Sequence, residues 1–202
     1  MIPLSTAVLT VRSVMRREFF VAGAGLPLDR AFRLMRLTGD TALAVADRRG
    51  RAMGLFALRH FERVIPEAGR WPVAFAIHSA VVGPPLRDWR RTLRPVLRQM
   101  REFHVRQAMD DPGARLSPSL PATEAVSALD REGVNALPVV EQGRVLGIAA
   151  LPDLFATRRA DGRLSSTRRI GSVPLSEAPT SEERGRSPGR CLRLRPGVYL
   201  LY

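Results

Sequence analysis

The stretch VNALPVVEQGRVLGIAALPDL at residues 134–154 carries the clearest structural pattern in this chain. It contains two short apolar runs, residues 136–140 and 145–150, separated by a polar turn with a glycine. Short apolar runs bounded by turn residues predict β-strands, so we expect a hairpin here. The preceding residues 122–129 place apolar side chains at helical spacing, and Gly133 can end that helix in a left-handed cap.

The same pattern occurs a second time, earlier in the chain. VRSVM at residues 11–15 recurs as VRQAM at residues 105–109, and after a one-residue slip in a turn Gly54 corresponds to Gly147. Each copy has the order strand, helix, strand, strand, helix, and neither is long enough to bury both faces of its sheet alone. We therefore predict an α/β fold in which two β-α-β-β-α units pack together about a pseudo-twofold axis.

The second copy resembles a CBS motif along its whole length. Members of that family typically show a methionine at the start, a helix ending in glycine, an apolar-Pro-Val strand, and a glycine-led strand that ends in an aspartate. Here those features are Met109, Gly133, residues 137–140 and Asp153. The first copy is a weaker match, since His60 stands where the aspartate belongs. The ordered set, present twice, resembles a tandem CBS pair, or Bateman module.

The repeat divides the chain into four parts. We expect a first, degenerate motif at residues 8–64, a linker with a basic amphipathic helix at 65–103, a second motif at 104–158, and a tail without fixed structure at 159–202. The tail is rich in Arg, Ser, Pro and Gly, a composition that cannot bury enough apolar surface to offset the entropy of ordering, so we expect it to be dispensable for folding. The last residues, 198–202, are apolar again and could dock on the rest of the chain.

Composition gives an expectation about the compartment. The net charge is +13, all 32 basic residues are arginine, and Cys191 is the one cysteine, so no disulfide can form within the chain. We see no signal peptide, and no apolar stretch is long enough to span a bilayer. We therefore expect a cytoplasmic protein without membrane contact, a metal site or a catalytic cofactor.

The resemblance implies an adenosine nucleotide, AMP, ADP or ATP, in the cleft between the two motifs. The residues that it places there are Leu116, Val134, Asn135, Ala136, Ile148, Ala150, Asp153 and Arg106. Asp153 would accept hydrogen bonds from the ribose hydroxyls, which are of the stronger, charge-assisted kind. The backbone at residues 134–136 would contact the adenine edge, Leu116 and Ile148 would cover its faces, and Arg106 would reach the phosphates. Ala150 replaces the Ser or Thr of the family, which favours AMP over tight ATP binding.

Asp153 also has a purely structural interpretation. It follows Pro152 in the first turn of a predicted helix, where an acid stabilises the helix without any ligand. His60, at the equivalent position of the first copy, cannot accept two hydroxyl protons as a carboxylate does. If the family role applies, we expect one nucleotide site per chain, at Asp153.

Three functions remain open from the sequence. The first is a regulatory, ligand-sensing module that is not an enzyme, since we find no phosphate loop, nucleophile elbow or zinc-protease helix. The second is an interaction or nucleic-acid-associated protein that uses its arginine-rich linker helix and tail. We do not favour the second, because the tail has few aromatic residues for base stacking. The third is a degenerate pair that only dimerises.

We also expect a homodimer that acts on a partner protein not identified by the sequence. CBS-like pairs commonly assemble through exposed helices. The apolar residues that we expect at such a surface are Phe32, Met35, Phe61 and Val64, with Trp89, Leu93 and Met100 from the linker.

Overall fold

The structure is a computed structural model that describes residues 9–83, 87–155 and 191–201. The first copy contains α1 (Val11–Val14), β1 (Phe19–Ala22), α2 (Leu28–Thr38), β2 (Ala42–Ala46), β3 (Ala52–Ala57) and a closing 3₁₀ helix (Leu58–Arg63). Helix α2 forms where its apolar residues recur at helical spacing, and it ends at Gly39, whose φ of 74° is the left-handed cap that the sequence predicts. The order of elements in this copy is the predicted one.

The linker forms a pair of helices where the sequence predicted a single one at residues 86–103. A short 3₁₀ helix (Pro66–Gly69) precedes α3 (Val73–Val82) and α4 (Trp89–Gln99). The buried face of α4 packs on α2, with the ring centroids of Phe32 and Trp89 6.4 Å apart. Helix α3 was not predicted, because its apolar residues lie nearly all round the helix and give no amphipathic pattern. The flanking prolines also favoured a loop.

This packing corrects the surface expected for a homodimer. Phe32, Met35 and Phe61 are at most 1% exposed, because α3 and α4 cover them. The linker residues expected to extend that surface, Trp89, Leu93 and Met100, are buried in the same cluster. These side chains are therefore not free for a partner, and the homodimer stays a prediction without this surface.

The second copy contains a 3₁₀ helix (Val105–Gln107), α5 (Ala122–Arg131), β4 (Ala136–Glu141), β5 (Arg144–Ala150) and α6 (Leu151–Leu154). Strands β4 and β5 form an antiparallel pair, as predicted. The predicted first strand of this copy is reduced to one parallel bridge between Leu116 and Val139. Pro118 lies two residues further on and has no N–H to donate to a ladder.

The leading segment of each copy, residues 10–16 in the first and 104–110 in the second, pairs with the other copy. The reciprocal bridges are Thr10 with Pro121, Pro27 with His104, Arg16 with Ile148, and Leu55 with Asp110. Under the repeat these four bridges form two equivalent pairs, so the crossing has the predicted pseudo-twofold symmetry.

Two equivalent glycines permit this crossing. A Cβ atom at Gly147 would lie 2.7 Å from the carbonyl oxygen of Arg16 and 2.9 Å from the sulfur of Met15. A Cβ at Gly54 would overlap the carbonyl oxygen of Asp110 in the same way. Glycine is needed at both positions because the backbone of the other copy passes directly over them.

The last part of the chain departs from the predicted tail. Strands β6 (Cys191–Arg195) and β7 (Val198–Leu201) form a hairpin, and β7 pairs in parallel with β1. The resulting sheet has five strands in the order β3-β2-β1-β7-β6. For residues 191–195 the prediction of a tail without fixed structure is wrong, because they form β6 against β7. The apolar residues after them do dock, since Val198 and Leu200 alternate into the core at 3% and 1% exposure. Residues 156–190 lie outside the described part of the chain.

Candidate ligand-binding site

Asp153, the residue predicted to hold the ribose, is already bound by a side chain of the other copy. Its Oδ2 lies 2.8 Å from Nε of Arg16, and Nη2 of the same guanidinium lies 2.7 Å from Oδ1 of Asp40. Asp153 and Asp40 are buried, at 9% and 8% exposure. Arg16 therefore fills the cleft in front of Asp153 and joins the first copy to the second.

The protonation of this triad follows from burial and pairing. Burial raises the pKa of the Asp153 carboxyl above its ordinary value, although Arg16 acts in the opposite direction. Burial lowers the pKa of the Arg16 guanidinium, but Asp40 and Asp153 outweigh burial and raise it overall. The arginine thus stays charged, and a charged arginine out of water needs both carboxylates.

His60 occupies the equivalent position in the first copy and is fully buried, not at the surface. Its Nδ1 accepts the N–H of Ala57 at 3.2 Å, so the proton of the neutral ring is on Nε2, which lies 3.1 Å from Oδ2 of Asp110. Burial lowers the pKa of His60 to about 4, with Arg63 and Arg59 adding to the effect and Asp110 opposing it.

Asp110 is the repeat equivalent of Arg16. Its Oδ1 lies 2.7 Å from Nη2 of Arg63. Burial raises the pKa of Asp110, but Arg63, His60 and Arg59 outweigh burial and lower it overall. In both copies a residue of the other copy thus lies against the family's aspartate position: Arg16 against Asp153 in one, and Asp110 against the neutral His60 in the other.

Two of the other predicted site residues lie beside Asp153 and Arg16: the backbone of Ala150 hydrogen-bonds the Asp153 carboxyl, and Ile148 exchanges backbone hydrogen bonds with Arg16. Leu116 and Ile148 are buried in two different core clusters. Ala136 and Ala150 are buried in the cluster of Ile148. Arg106 is exposed, and its backbone N–H donates to the carbonyl of Ala24 in the first copy.

Val134 and Asn135 do line a cavity, which lies between the two copies and has a volume of about 340 Å³. Its lining residues are Thr41, Ala57, Leu58 and Arg59 from the first copy, Gly133, Val134, Asn135 and Leu151 from the second, and His78 and Val82 from α3. We call it the axis cavity, because Thr41 and Asn135 are repeat equivalents that meet there.

Thr41 and Asn135 hold the floor of the axis cavity by reciprocal hydrogen bonds. The Thr41 N–H donates to Oδ1 of Asn135 at 2.7 Å, and the Asn135 N–H donates to Oγ1 of Thr41 at 2.9 Å. The carbonyls of the same two residues accept the N–H groups of Leu58 and Leu151, each at 2.9 Å. The repeat could have identified Thr41 from Asn135, whereas nothing in the sequence placed His78 or Val82 beside them.

Arg59 brings a positive charge to the lining of this cavity. The Arg59 guanidinium, with its side chain 40% exposed, lies 3.3 Å from Glu132 and 3.7 Å from Asp110. His78 and Val82 of α3 are exposed.

The described residues include no group of three His, Cys, Asp or Glu side chains placed to bind a metal ion. In the same part of the chain, no helix has the length and apolar character needed to cross a bilayer.

Two β-α-β-β-α copies, exchanged through their leading segments with a cavity between them, define a paired module of a known kind. The CBS domain model matches residues 11–67 and again residues 105–158, more than half of the chain. The chain therefore belongs to the CBS domain family.

Solved structures share the fold. A protein from Methanocaldococcus jannaschii, described as an archaeal homolog of g-AMPK, is 19% identical; the match covers 73% of this chain and 46% of that one, with a TM-score of 0.52. A CBS-domain containing protein from Agrobacterium tumefaciens is 15% identical over 76% of this chain and 96% of that one, with a TM-score of 0.50. At these identities the likeness shows the fold alone. A search of curated proteins found no match.

Proposed function

We propose that this protein is a regulatory module that binds an adenosine-type ligand of about the size of AMP in the axis cavity. The observation that supports this most is the lining of the cavity by both copies, including Val134 and Asn135. These two residues are the ones expected to contact the adenine edge. The choice of an adenosine-type ligand follows from membership of the CBS family, in which the ligand lies between the two motifs.

The axis cavity is a better candidate than the cleft at Asp153 because that cleft is occupied. A ribose there would have to displace Arg16, which would leave a buried guanidinium without one of its two carboxylates. Uncompensated buried charges are costly, by several kcal/mol in typical cases. The axis cavity needs no such exchange.

Its size favours a small ligand over ATP. The volume of about 340 Å³ is near the lower end of small-molecule pockets, which typically range over about 300–1,000 Å³. Arg59 lines the cavity with its side chain 40% exposed, so a phosphate would share its guanidinium with Glu132 without displacing a buried charge. A single phosphate group next to a nucleoside therefore suits the site better than a triphosphate chain.

Binding there would be sensed through three parts of the chain at once. The first copy, the second copy and α3 all contribute lining residues, so a ligand that prefers one mutual arrangement shifts the population toward it. Couplings of this kind are typically about 1–3 kcal/mol. A partner protein that contacts two of the three parts could read such a shift.

A second candidate is a purely structural role, in which the two copies pack together and bind no nucleotide. It is favoured by the closure of both family aspartate positions, by Arg16 at Asp153 and by Asp110 at His60. In this case the axis cavity would be a packing feature between the copies.

Calorimetry of the full chain with AMP distinguishes the two candidates. Val82→Trp enlarges a side chain that is 42% exposed and lines the cavity, so it should weaken AMP binding at least about tenfold, or 1.4 kcal/mol, without disturbing the core. Phe75→Trp, on the same helix and also 42% exposed, is the matched control and should change nothing. Absence of binding by AMP, adenosine and ATP would favour the structural role. If Asp153→Asn abolished AMP binding and Val82→Trp did not, the binding site would be at Asp153 and not in the axis cavity.

A further inference from the structure

Helices α2 and α4 enclose a second concave site, far richer in charge than the axis cavity. Its volume is about 560 Å³, and its lining includes six arginines: Arg33, Arg36, Arg90, Arg94, Arg98 and Arg101. The other lining residues are Asp29, Phe32, Trp89 and Leu97. We call it the arginine groove.

The arginines of the groove outnumber the carboxylates that could pair with them. Asp29 is the one acid in the lining, and its Oδ2 lies 3.6 Å from Nε of Arg101. Within the described residues, none of Arg33, Arg90, Arg94 and Arg98 lies within ion-pair distance of a carboxylate. The groove therefore holds several positive charges that lack a counter-charge from the described protein.

Five of the six arginines lie on α2 and α4, and Arg101 follows the end of α4. Arg90, Arg94 and Arg98 follow one another at four-residue intervals along α4, a rise of about 6 Å each. Arg33 and Arg36 face them from α2. Burial, with Arg90 and Arg33 as further causes, lowers the pKa of Arg36, as expected where like charges converge. Trp89 and Leu93 anchor α4 in the core beneath them.

We propose that the arginine groove binds a compact polyphosphate anion, of the kind carried by a nucleoside polyphosphate or by inorganic tripolyphosphate. The guanidinium fork matches phosphate oxygens in pairs, and several forks from two sides can hold neighbouring phosphates of one chain. The volume of about 560 Å³ is that of a small-molecule site.

Phosphate chemistry fits the groove better than a carboxylate-rich peptide. A phosphate group carries up to about two negative charges where a carboxylate carries one, so it offsets more of the convergent charge within the same volume. The groove also lacks a free platform for stacking the bases of a nucleic acid. Trp89 is 8% exposed, and Cζ of Arg36 already covers its ring at 4.2 Å from the centroid.

The test uses the full chain and inorganic tripolyphosphate, which has no adenosine and so is independent of the axis cavity. We expect saturable binding at low salt that weakens as salt is added. The double variant Arg94→Gln and Arg98→Gln should weaken it at least about tenfold, since it removes two forks from the groove. The matched control Arg87→Gln and Arg91→Gln removes two exposed charges beside and on α4 that do not line the groove, and should change affinity less than about twofold. The Val82→Trp variant should bind tripolyphosphate as the parent does.

Three results would overturn the proposal. Equal losses in the double variant and its control, with melting temperatures unchanged, would show a diffuse effect of net charge. A single-stranded oligonucleotide that binds more tightly, and that excess tripolyphosphate does not displace, would make the groove a nucleic-acid surface. An oligoglutamate peptide that binds where tripolyphosphate does not would make it a docking site for an acidic protein segment. ATP and tripolyphosphate in parallel titrations distinguish a nucleotide from an inorganic source of the phosphates.

Discussion

The guanidinium of Arg16 lies 2.8 Å from the carboxylate of Asp153 and connects the leading segment of the first copy to the last helix of the second. In sequence the two residues are remote from each other, and in the fold they occupy the position where a nucleotide ribose was expected. This pair links the two copies by charge and occupies the position at which the family resemblance placed the ligand.

Arg16→Gln should lower the free energy of unfolding by about 3 kcal/mol, because it removes the guanidinium that the buried carboxyls of Asp153 and Asp40 share. Urea denaturation measures the change. Arg17→Gln, at an exposed neighbouring position, is the control and should change stability by less than about 0.5 kcal/mol. Adding Asp153→Asn to Arg16→Gln should cost less than the sum of the single changes, since the two side chains interact. Additive losses would contradict the pairing.

The pH dependence of stability should carry the signature of His60. Its pKa in the folded chain is lowered to about 4 from an ordinary value of 6.5, so the unfolded chain binds the extra proton first as pH falls. The free energy of unfolding should therefore decrease as pH falls from about 6.5 to about 4, by roughly 3 kcal/mol from this residue alone.

His60→Asn provides the comparison for that pH dependence. Asparagine can keep an acceptor for the Ala57 N–H but does not titrate. The variant should show a flatter profile between pH 4 and pH 6.5, with Asp110 and the other carboxylates still contributing at the acid end. A profile as steep as that of the parent would mean that another group causes the slope.

The crossing of the two copies depends on glycine at residue 147. Gly147→Ala places a methyl group within 2.7 Å of the Arg16 carbonyl oxygen and should destabilise the fold by about 2 kcal/mol. Gly25→Ala is the matched control, because nothing lies within 4 Å of its Cβ position. It should change the free energy of unfolding by no more than about 1 kcal/mol. Equal effects of the two substitutions, measured by thermal denaturation, would contradict the close approach.

The hairpin at the end of the chain should contribute to stability. Leu200→Ala removes a side chain that is 1% exposed on β7 and should cost about 2–4 kcal/mol. Leu192→Ala, on the neighbouring strand and 39% exposed, should cost less than about 1 kcal/mol. A Leu200→Ala protein that unfolds at the parent's midpoint would restore the sequence prediction that this part of the tail is dispensable.

The features that could be predicted from the sequence are those formed by residues close together along the chain. The repeat predicted the paired units, the helix ending at Gly39 and the hairpin of β4 and β5, because those features follow local spacing. The family resemblance placed Val134 and Asn135 between the two motifs, and both line the axis cavity. The repeat did not reveal that Arg16 reaches Asp153, since that contact depends on the leading segment crossing to the other copy.

The remaining misses have separate causes. The apolar residues at 198–202 were recognisable in the sequence, but their pairing with β1 was not, because the two strands are remote along the chain. Helix α3 has little amphipathic character, so periodicity gave no signal for it. Once α3 and α4 cover the first copy, the apolar residues expected at a dimer surface become part of the core.

The most direct test of the account is an experimental structure of the full chain crystallised with saturating AMP. We expect the nucleotide between Thr41 and Asn135, under Val82 of α3, with Arg16 still in contact with Asp153. A ribose bound to Asp153 with Arg16 displaced would contradict the account. So would a structure in which saturating AMP leaves the axis cavity empty.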